Sequence, residues 1–586
     1  MMEGVRRIIL LYGLLHLLSN PGILGNVITG TPDQCQEAEF VPGYNLAGEG
    51  FDIVKMERKG AYVINMEDWQ KANGTCTLKR NRYLGGKLQK IPLAIVDWRA
   101  LSNCKMKVSS TIYESSESLV NDTTSNVENN WKVGLDVNVN PNVKVGVALG
   151  GTHSRAANYA MQKSKEDKYS FTSHQVDCKF YRYRLVTNPP IHKEFQESIK
   201  LLPKRYSSET KEQYRSLIDT YGTHFTRHVQ LGGKVSSITS IKSCQATMNG
   251  MTDTAVKDCL DVEASATIAM TGSVKTEAHH CKSLLKKMNS AQSFSSMFSD
   301  RHSEIIGGQI DTADLLFSSA DPTAYKNWLQ SIKTMPDVVS YALIPLHTLI
   351  PIKDPVHNGL KQALVDYILE NALLKKCSEK CEIGTKSSAR DCCACVCNAN
   401  KNLKSNCCPA AKGLAELKVY GLRAEKLYGD RWTETDGSVH VKYGEKSRQT
   451  EIIHDNDNPV WRERFDFGSI KINMANRLTF KVYDADSVWN SDLLGECSFP
   501  LKQGTVKDIC TFQYGTFFFT YNVQCSPSLG GSECNDYISS PMSPSLSKKF
   551  QSRNGIFASE RWLAEIHNYE AKTHNLKFST NVSQGK

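Results

Sequence analysis

From Trp131 the chain alternates: Trp131, Val133, Leu135, Val137 and Val139 are apolar, with Lys132, Gly134, Asp136, Asn138 and Asn140 between them. After Asn140-Pro141-Asn142 the alternation resumes at Val143, Val145, Val147 and Leu149. Two period-2 stripes joined at turn residues predict a hairpin with one apolar face. Residues 131–139 match the ~9–11 residues of a membrane β-strand. An ordinary half-buried sheet alternates too, so the pattern alone leaves both readings open. A second stripe covers Cys259–Thr271, where Leu260, Val262, Ala264, Ala266, Ile268 and Met270 alternate with Asp261, Glu263, Ser265 and Thr267. Helical spacing is clearest over Asp354–Lys376, with Leu360, Ala363, Leu364, Tyr367 and Ile368 on one face. From Gly413 the texture becomes short alternating strands, among them Glu416–Tyr420 and Leu478–Tyr483. After Cys534 a Ser- and Lys-rich tail is expected to pack loosely or be disordered.

The chain opens with Arg6-Arg7, an apolar run from Ile8 to Leu18, and a breaker at Ser19-Asn20-Pro21-Gly22. That order reads as a signal peptide over residues 1–25, too short for the ~20 apolar residues of a membrane helix. Nineteen cysteines in the chain fit an oxidising destination. Cys377, Cys381, Cys392, Cys393, Cys395, Cys397, Cys407 and Cys408 crowd into one stretch, which reads as a small disulfide-held module at residues 377–410 that fixes its neighbours. Zinc is the rival reading, and export weakens it. An odd cysteine total leaves one thiol free or paired between chains. The sequons Asn73-Gly-Thr75, Asn121-Asp-Thr123 and Asn581-Val-Ser583 fit the same route.

With 586 residues, 40% apolar and 23% charged, the chain has material for several folded domains. A net charge of 71 − 61 = +10 is mild for this length, and no basic run or nucleic-acid motif accompanies it. Gly-x-Ser-x-Gly, His-Glu-x-x-His and phosphate-loop patterns are absent from the sequence. The expectation is therefore a non-enzyme with no nucleic-acid partner and no small-molecule substrate.

The clearest chemistry lies after the strands from Gly413. Asp430 and Asp436 sit in one loop, and Asp484, Asp486 and Asp492 in another. Five carboxylates at one end of a sheet repel unless a hard cation neutralises them, and Ca²⁺ takes six to eight oxygens. Backbone carbonyls such as those of Gly429 and Ala485 suit the remaining positions. Tyr428, Trp432 and Trp489 flank the carboxylates, and Trp and Tyr favour the lipid–water interface, although sheet-edge packing suits each ring as well. Crowded carboxylates are also expected to titrate high, so that acid competes with calcium.

Asp-x5-Asp at 430 and 436, Asn458-Pro459-Val460-Trp461, and Asp-x-Asp-x5-Asp at 484, 486 and 492 resemble a C2 domain. That resemblance implies that the five Asp residues bind calcium and that their loops dock on phospholipid. Tyr221-Gly222-Thr223-His224-Phe225, followed by Gly232-Gly233, resembles the membrane attack complex/perforin (MACPF) family. The order of MACPF, EGF-like module and C2 domain narrows the resemblance to the perforin branch. On its own, His224 is read as a packed, hydrogen-bonded histidine, since no nucleophile accompanies it.

The fold class is thus expected to be α+β and multidomain. Residues 26–376 would form a bent antiparallel sheet with helical clusters, 377–410 an EGF-like module, 411–525 an all-β C2 sandwich and 526–586 a tail. The resemblance further implies a secreted protein held in acidic granules. It would dock with calcium, assemble into a homo-oligomeric ring or arc, and unfurl helical clusters into membrane hairpins at the two alternating stretches.

Overall fold

The computed structural model describes residues 28–104, 107–137, 147–269, 275–287, 292–310, 314–317, 322–375, 380–387, 394–429, 431–487, 490–548 and 556–557. The signal-peptide reading, Asn581 and residues 138–146, with Val139, Val143 and Val145, fall outside them.

Six strands set the frame: β1 (Ile95–Cys104), β2 (Ser109–Tyr113), β3 (Tyr169–Leu185), β4 (His224–Lys242), β5 (Arg301–Ile306) and β6 (Asp337–Pro345). β3 and β4 pair antiparallel from Lys242↔Tyr169 to His228↔Arg184. β1 and β2 flank β3, and β5 and β6 flank β4, so the sheet is antiparallel throughout. The β3–β4 ladder slips register between Leu231 and Gly232. A Cβ on Gly232 would stand 1.8 Å from the Cys178 carbonyl oxygen, and one on Gly233 would press on Trp328 and Ile332. The glycine pair therefore permits a close backbone approach where the register slips.

Two of the helix-bearing connections, those after β2 and after β4, bear on function. Between β2 and β3 lie α1 (Ser116–Asp122) and α2 (Arg155–Glu166), each started by a serine whose hydroxyl accepts a first-turn N–H. α3 (Lys211–Tyr221) runs into β4. Between β4 and β5 lie α4 (Asp253–Ala269) and α5 (Lys275–Lys287). Tyr113 at the end of β2 pairs with Phe171, and Lys242 at the end of β4 pairs with Tyr169. Both helical segments consequently leave the same end of the sheet. They cover opposite faces: Leu119 and Ala160 pack with Tyr113 and Phe171, whereas Asp261 of α4 meets Ser110 and His174.

Among the described residues the first alternating stretch has no strand beyond Val147–Ala148, and the second has none. Trp131–Gly134 is turn; Trp131 and Leu135 are buried while Val133 is 69% exposed. Val147 lies in a two-residue strand on β7 (Leu373–Lys375), and Leu149 is buried. The second stretch is helix α4 as far as Ala269, with Leu260, Ala264 and Ile268 buried and Val262 half-buried. The reason is arithmetic. Every fourth residue belongs to both a period-2 and a 3.6-residue pattern, so 260, 264 and 268 can face a helix core or one side of a strand.

The cysteine module holds Cys381–Cys395 and Cys397–Cys407, while Cys408 reaches out to Cys244 just after β4. The adjacent cysteines thus divide between an internal bridge and a tie to the large sheet. Cys377, Cys392 and Cys393 lie outside the described residues, and with them the odd thiol.

The C-terminal sandwich comprises β8 (Leu414–Glu425), β9 (Gly437–Tyr443), β10 (Phe465–Lys471), β11 (Leu478–Ser487), β12 (Asn490–Phe499), β13 (Gly504–Phe512) and β14 (Gly515–Cys525). β10-β8-β14-β13 form one sheet and β9-β11-β12 the other, and Phe480, Phe517 and Phe519 fill the space between.

The part of the tail at residues 537–542 departs from the expectation of loose packing. Asp167, between α2 and β3, accepts hydrogen bonds from the Tyr537 hydroxyl and the Ser540 N–H, and the Met542 N–H donates to the Lys165 carbonyl at 2.8 Å. Ile556–Phe557 adds a strand to β7. A polar, Ser-rich segment can dock through backbone groups without an apolar signature, which is why composition missed it.

Candidate membrane-docking and insertion sites

The carboxylate site sits at one end of the sandwich because two ladders deliver it there. Gly437 pairs with Asp484, and Asp484 in turn with Asp492, so the loops before β9 and between β11 and β12 start side by side. Asp484 is 2% exposed, and its Oδ1 accepts the Asp436 N–H at 2.7 Å. A Cβ on Gly429 would fall 1.6 Å from Asp484 Oδ2, so only glycine lets the first loop close over this oxygen. The Ala485 N–H donates to the Asp436 carbonyl at 2.9 Å, locking the second loop to the first. Asp492 is exposed. Asp430, Trp489 and the Asp486 side chain lie outside the described residues.

A third loop completes the end, and sequence reasoning missed it. Asp436 Oδ1 accepts the Asp455 N–H at 2.9 Å, and its Oδ2 lies 2.7 Å from His454 Nδ1. Asp457 Oδ1 accepts from the Thr435 N–H at 3.0 Å and the Thr435 hydroxyl at 2.8 Å. The polar run His454-Asp455-Asn456-Asp457-Asn458 ahead of Pro459 was the available signal. The Asp455 N–H, reinforced by His454, holds the Asp436 carboxyl below its ordinary value, opposite in direction to the crowding expectation.

Among the described residues no three His, Cys, Asp or Glu side chains stand together as a metal-binding group. The donors present are nevertheless hard oxygens, and the Gly429–Asp484 cradle leaves room only for backbone beside the carboxylate. That chemistry fits calcium rather than a soft metal. Trp432 is 94% exposed at this end, and Tyr428, half exposed, stacks on Tyr514 with ring centres 6.5 Å apart.

The pentapeptide joins the sheet to the first helical segment. Gly222 has φ 77°, and a Cβ there would stand 2.5 Å from the Phe51 carbonyl. Thr223 Oγ1 accepts the Ile53 N–H at 3.1 Å and lies 2.7 Å from His224 Nδ1. His224 Nε2 is 3.1 Å from the Trp131 carbonyl oxygen, and the two rings meet edge to face. Burial drives the His224 pKa down to about 3, so the ring is neutral and donates to that carbonyl. Tyr221 and Phe225 are buried on either side.

On the opposite face a polar latch holds α4. Asp261 Oδ2 accepts from Lys257 Nζ and from the Ser110 hydroxyl, each at 2.8 Å, and Oδ1 lies 3.3 Å from His174 Nε2. Burial acts to raise the Asp261 pKa, but His174, Lys257 and Ser110 outweigh it and hold it at about 2. Of the sequons, Asn73 is exposed in a turn, with its Oδ1 accepting from the Thr75 N–H and hydroxyl, and Asn121 is exposed on α1.

A MAC/Perforin domain model matches residues 41–376, a Perforin-1-like EGF domain model residues 376–410, and a C2 domain model residues 415–514. Perforin-1 of Homo sapiens is 38% identical over 90% of this chain and 96% of its own length. Perforin-1 of Mus musculus is 37% identical with the same coverage. Complement component C9 of Oncorhynchus mykiss is 24% identical over 60% of this chain and 64% of its own. With the first model matching more than half of its length, and Perforin-1 relatives aligned along nine-tenths of it, the chain belongs to the MAC/Perforin family.

Proposed function

We propose that this chain is a secreted, calcium-dependent, pore-forming cytolytic protein. Calcium at Asp430, Asp436, Asp484, Asp486 and Asp492 brings the loop end of the C2 sandwich onto phospholipid, with Trp432, Tyr428 and Trp489 entering the interface. Docked monomers assemble edge to edge into a ring or arc. The 114–168 and 243–300 segments then leave the two faces of the sheet and extend its strands into the bilayer as β-hairpins. Ring closure is a physical requirement, because an isolated hairpin leaves backbone groups unpaired in lipid.

One observation carries this reading: both helical segments spring from the same end of one antiparallel sheet, on opposite faces, and each contains a period-2 stripe. Segments so placed can prolong all four central strands in one direction. Resident calcium supplies charge neutralisation at the carboxylates; Gly429 and Asp484 shape the first loop around it, and Asp436 ties the three loops together. The chain acts on membranes and itself, with no catalytic residues, no nucleic acid and no small-molecule substrate. Storage in an acidic secretory granule before release suits a lytic protein of this kind.

Release of an encapsulated dye from phosphatidylcholine vesicles tests the proposal. Leakage that requires calcium supports it. Calcium-dependent sedimentation without leakage would instead establish a membrane-recruiting protein that does not perforate.

A further inference from the structure

Arg99 on β1 and Arg182 on β3 are direct register partners, so two cationic side chains oppose each other across an antiparallel pair. Like charges in that position weaken a ladder. The arrangement is built rather than incidental. Between Val96 and Arg99 the β1 register slips, and Asp97 takes φ 54°, a left-handed backbone uncommon outside glycine. The bulge turns Trp98 inward onto Tyr181, ring centres 5.6 Å apart, and sends Asp97 to Arg184. Arg99 is left facing Arg182.

Asp97, Arg99, Arg182 and Arg184 line a concave hollow of about 300 Å³ together with Glu128 and His228. Both bordering acids are engaged elsewhere: Asp97 with Arg184, and Glu128 with Gln230 Nε2 at 2.6 Å and the Ser340 hydroxyl at 2.8 Å. Among the described residues no hydrogen bond or ion pair joins the Arg99 or Arg182 guanidinium to a protein group. Two planar forks face one recess with their donors uncommitted.

We propose that this hollow binds a phosphate or sulfate oxyanion between Arg99 and Arg182, with His228 at its rim. A guanidinium presents paired N–H groups matched to two oxygens of such an anion, and a doubly charged guest removes the repulsion between the arginines. The site lies on the large sheet and shares no residue with the calcium loops. It is therefore separable from calcium-dependent docking. The anion could be free or carried on a lipid headgroup, and the chemistry is the same.

The test uses the full-length protein in EDTA, at constant ionic strength. Calorimetry with inorganic phosphate and with sulfate should show saturable one-to-one binding that chloride does not reproduce. Arg99→Gln and Arg182→Gln should each weaken it at least tenfold, while Arg448→Gln in the C2 sandwich leaves it unchanged. Vesicles containing a phosphatidylinositol phosphate that sediment the wild type in EDTA, but not Arg182→Gln, assign the anion to a headgroup. Phosphate binding without sedimentation assigns it to a free anion. On the unmodified protein, phosphate should protect Arg99 and Arg182 from phenylglyoxal, read by peptide mass spectrometry, which serves if a variant fails to fold. No binding above chloride, wild-type affinity in both folded glutamine variants, or labelling unaffected by phosphate overturns the proposal.

Discussion

Two aspartates do different work in this molecule, and a single-atom change separates them. Asp484 is buried under Gly429 with one oxygen on the Asp436 N–H. Asp484→Asn keeps that acceptor and removes the charge. Calcium-dependent vesicle sedimentation should fall by about two orders of magnitude, since metal binding needs the ionised carboxylate. Thermal unfolding without calcium should move little. Asp261 instead secures α4. Its pKa of about 2 lies below its unfolded value, so its stabilisation is complete above about pH 4 and fades as pH falls toward 2. The latch is thus closed at neutral pH and in a mildly acidic store alike. With part of the group exposed, Asp261→Asn should cost about 1–2 kcal/mol at pH 7 in denaturant unfolding, and almost nothing at pH 2. Equal cost at both pH values would mean that the loss is steric.

At the scale of elements, the helical segments carry the account. Ser110 and Asp261 touch across β2 and α4. A disulfide engineered between those positions should block vesicle leakage, leave calcium-dependent sedimentation intact, and restore leakage on reduction. An environment-sensitive fluorophore at Val262 should report an apolar setting after leakage, and one at Glu263 an aqueous setting. Absence of that alternation would make the period-2 stripe a helix pattern only. Legibility in the sequence follows from the same physics. The C2 strands and their carboxylate loops could be read because alternation and Asp spacing are local. Helix α4 could not, because Leu260, Ala264 and Ile268 satisfy two periods at once and tertiary packing chooses between them. The His454–Asp457 loop joins the site only through folding, so its contact with Asp436 left no spacing to recognise. Cys244–Cys408 joins residues far apart in sequence, and eight crowded cysteines give no hint that one pairs outside the module.

For the whole molecule, three parts are coupled at definable points. Cys408 ties the cysteine module to the end of β4, and the tail grips Asp167 and Lys165 where α2 gives way to β3. Truncation before Tyr537 should therefore lower the unfolding barrier of the first segment, seen as faster hydrogen exchange across residues 155–168 than across the C2 core. Unchanged exchange there would show that the tail merely rests on the surface. In the proposed function docking and insertion are separable, since the carboxylate loops and the two helical segments belong to different domains. The most direct measurement is electron microscopy of phosphatidylcholine vesicles incubated with the protein, scored alongside dye release with calcium and with EDTA. Rings or arcs and leakage are expected with calcium, and neither in EDTA. Bound, evenly scattered monomers with dye retained at millimolar calcium would contradict the proposed function.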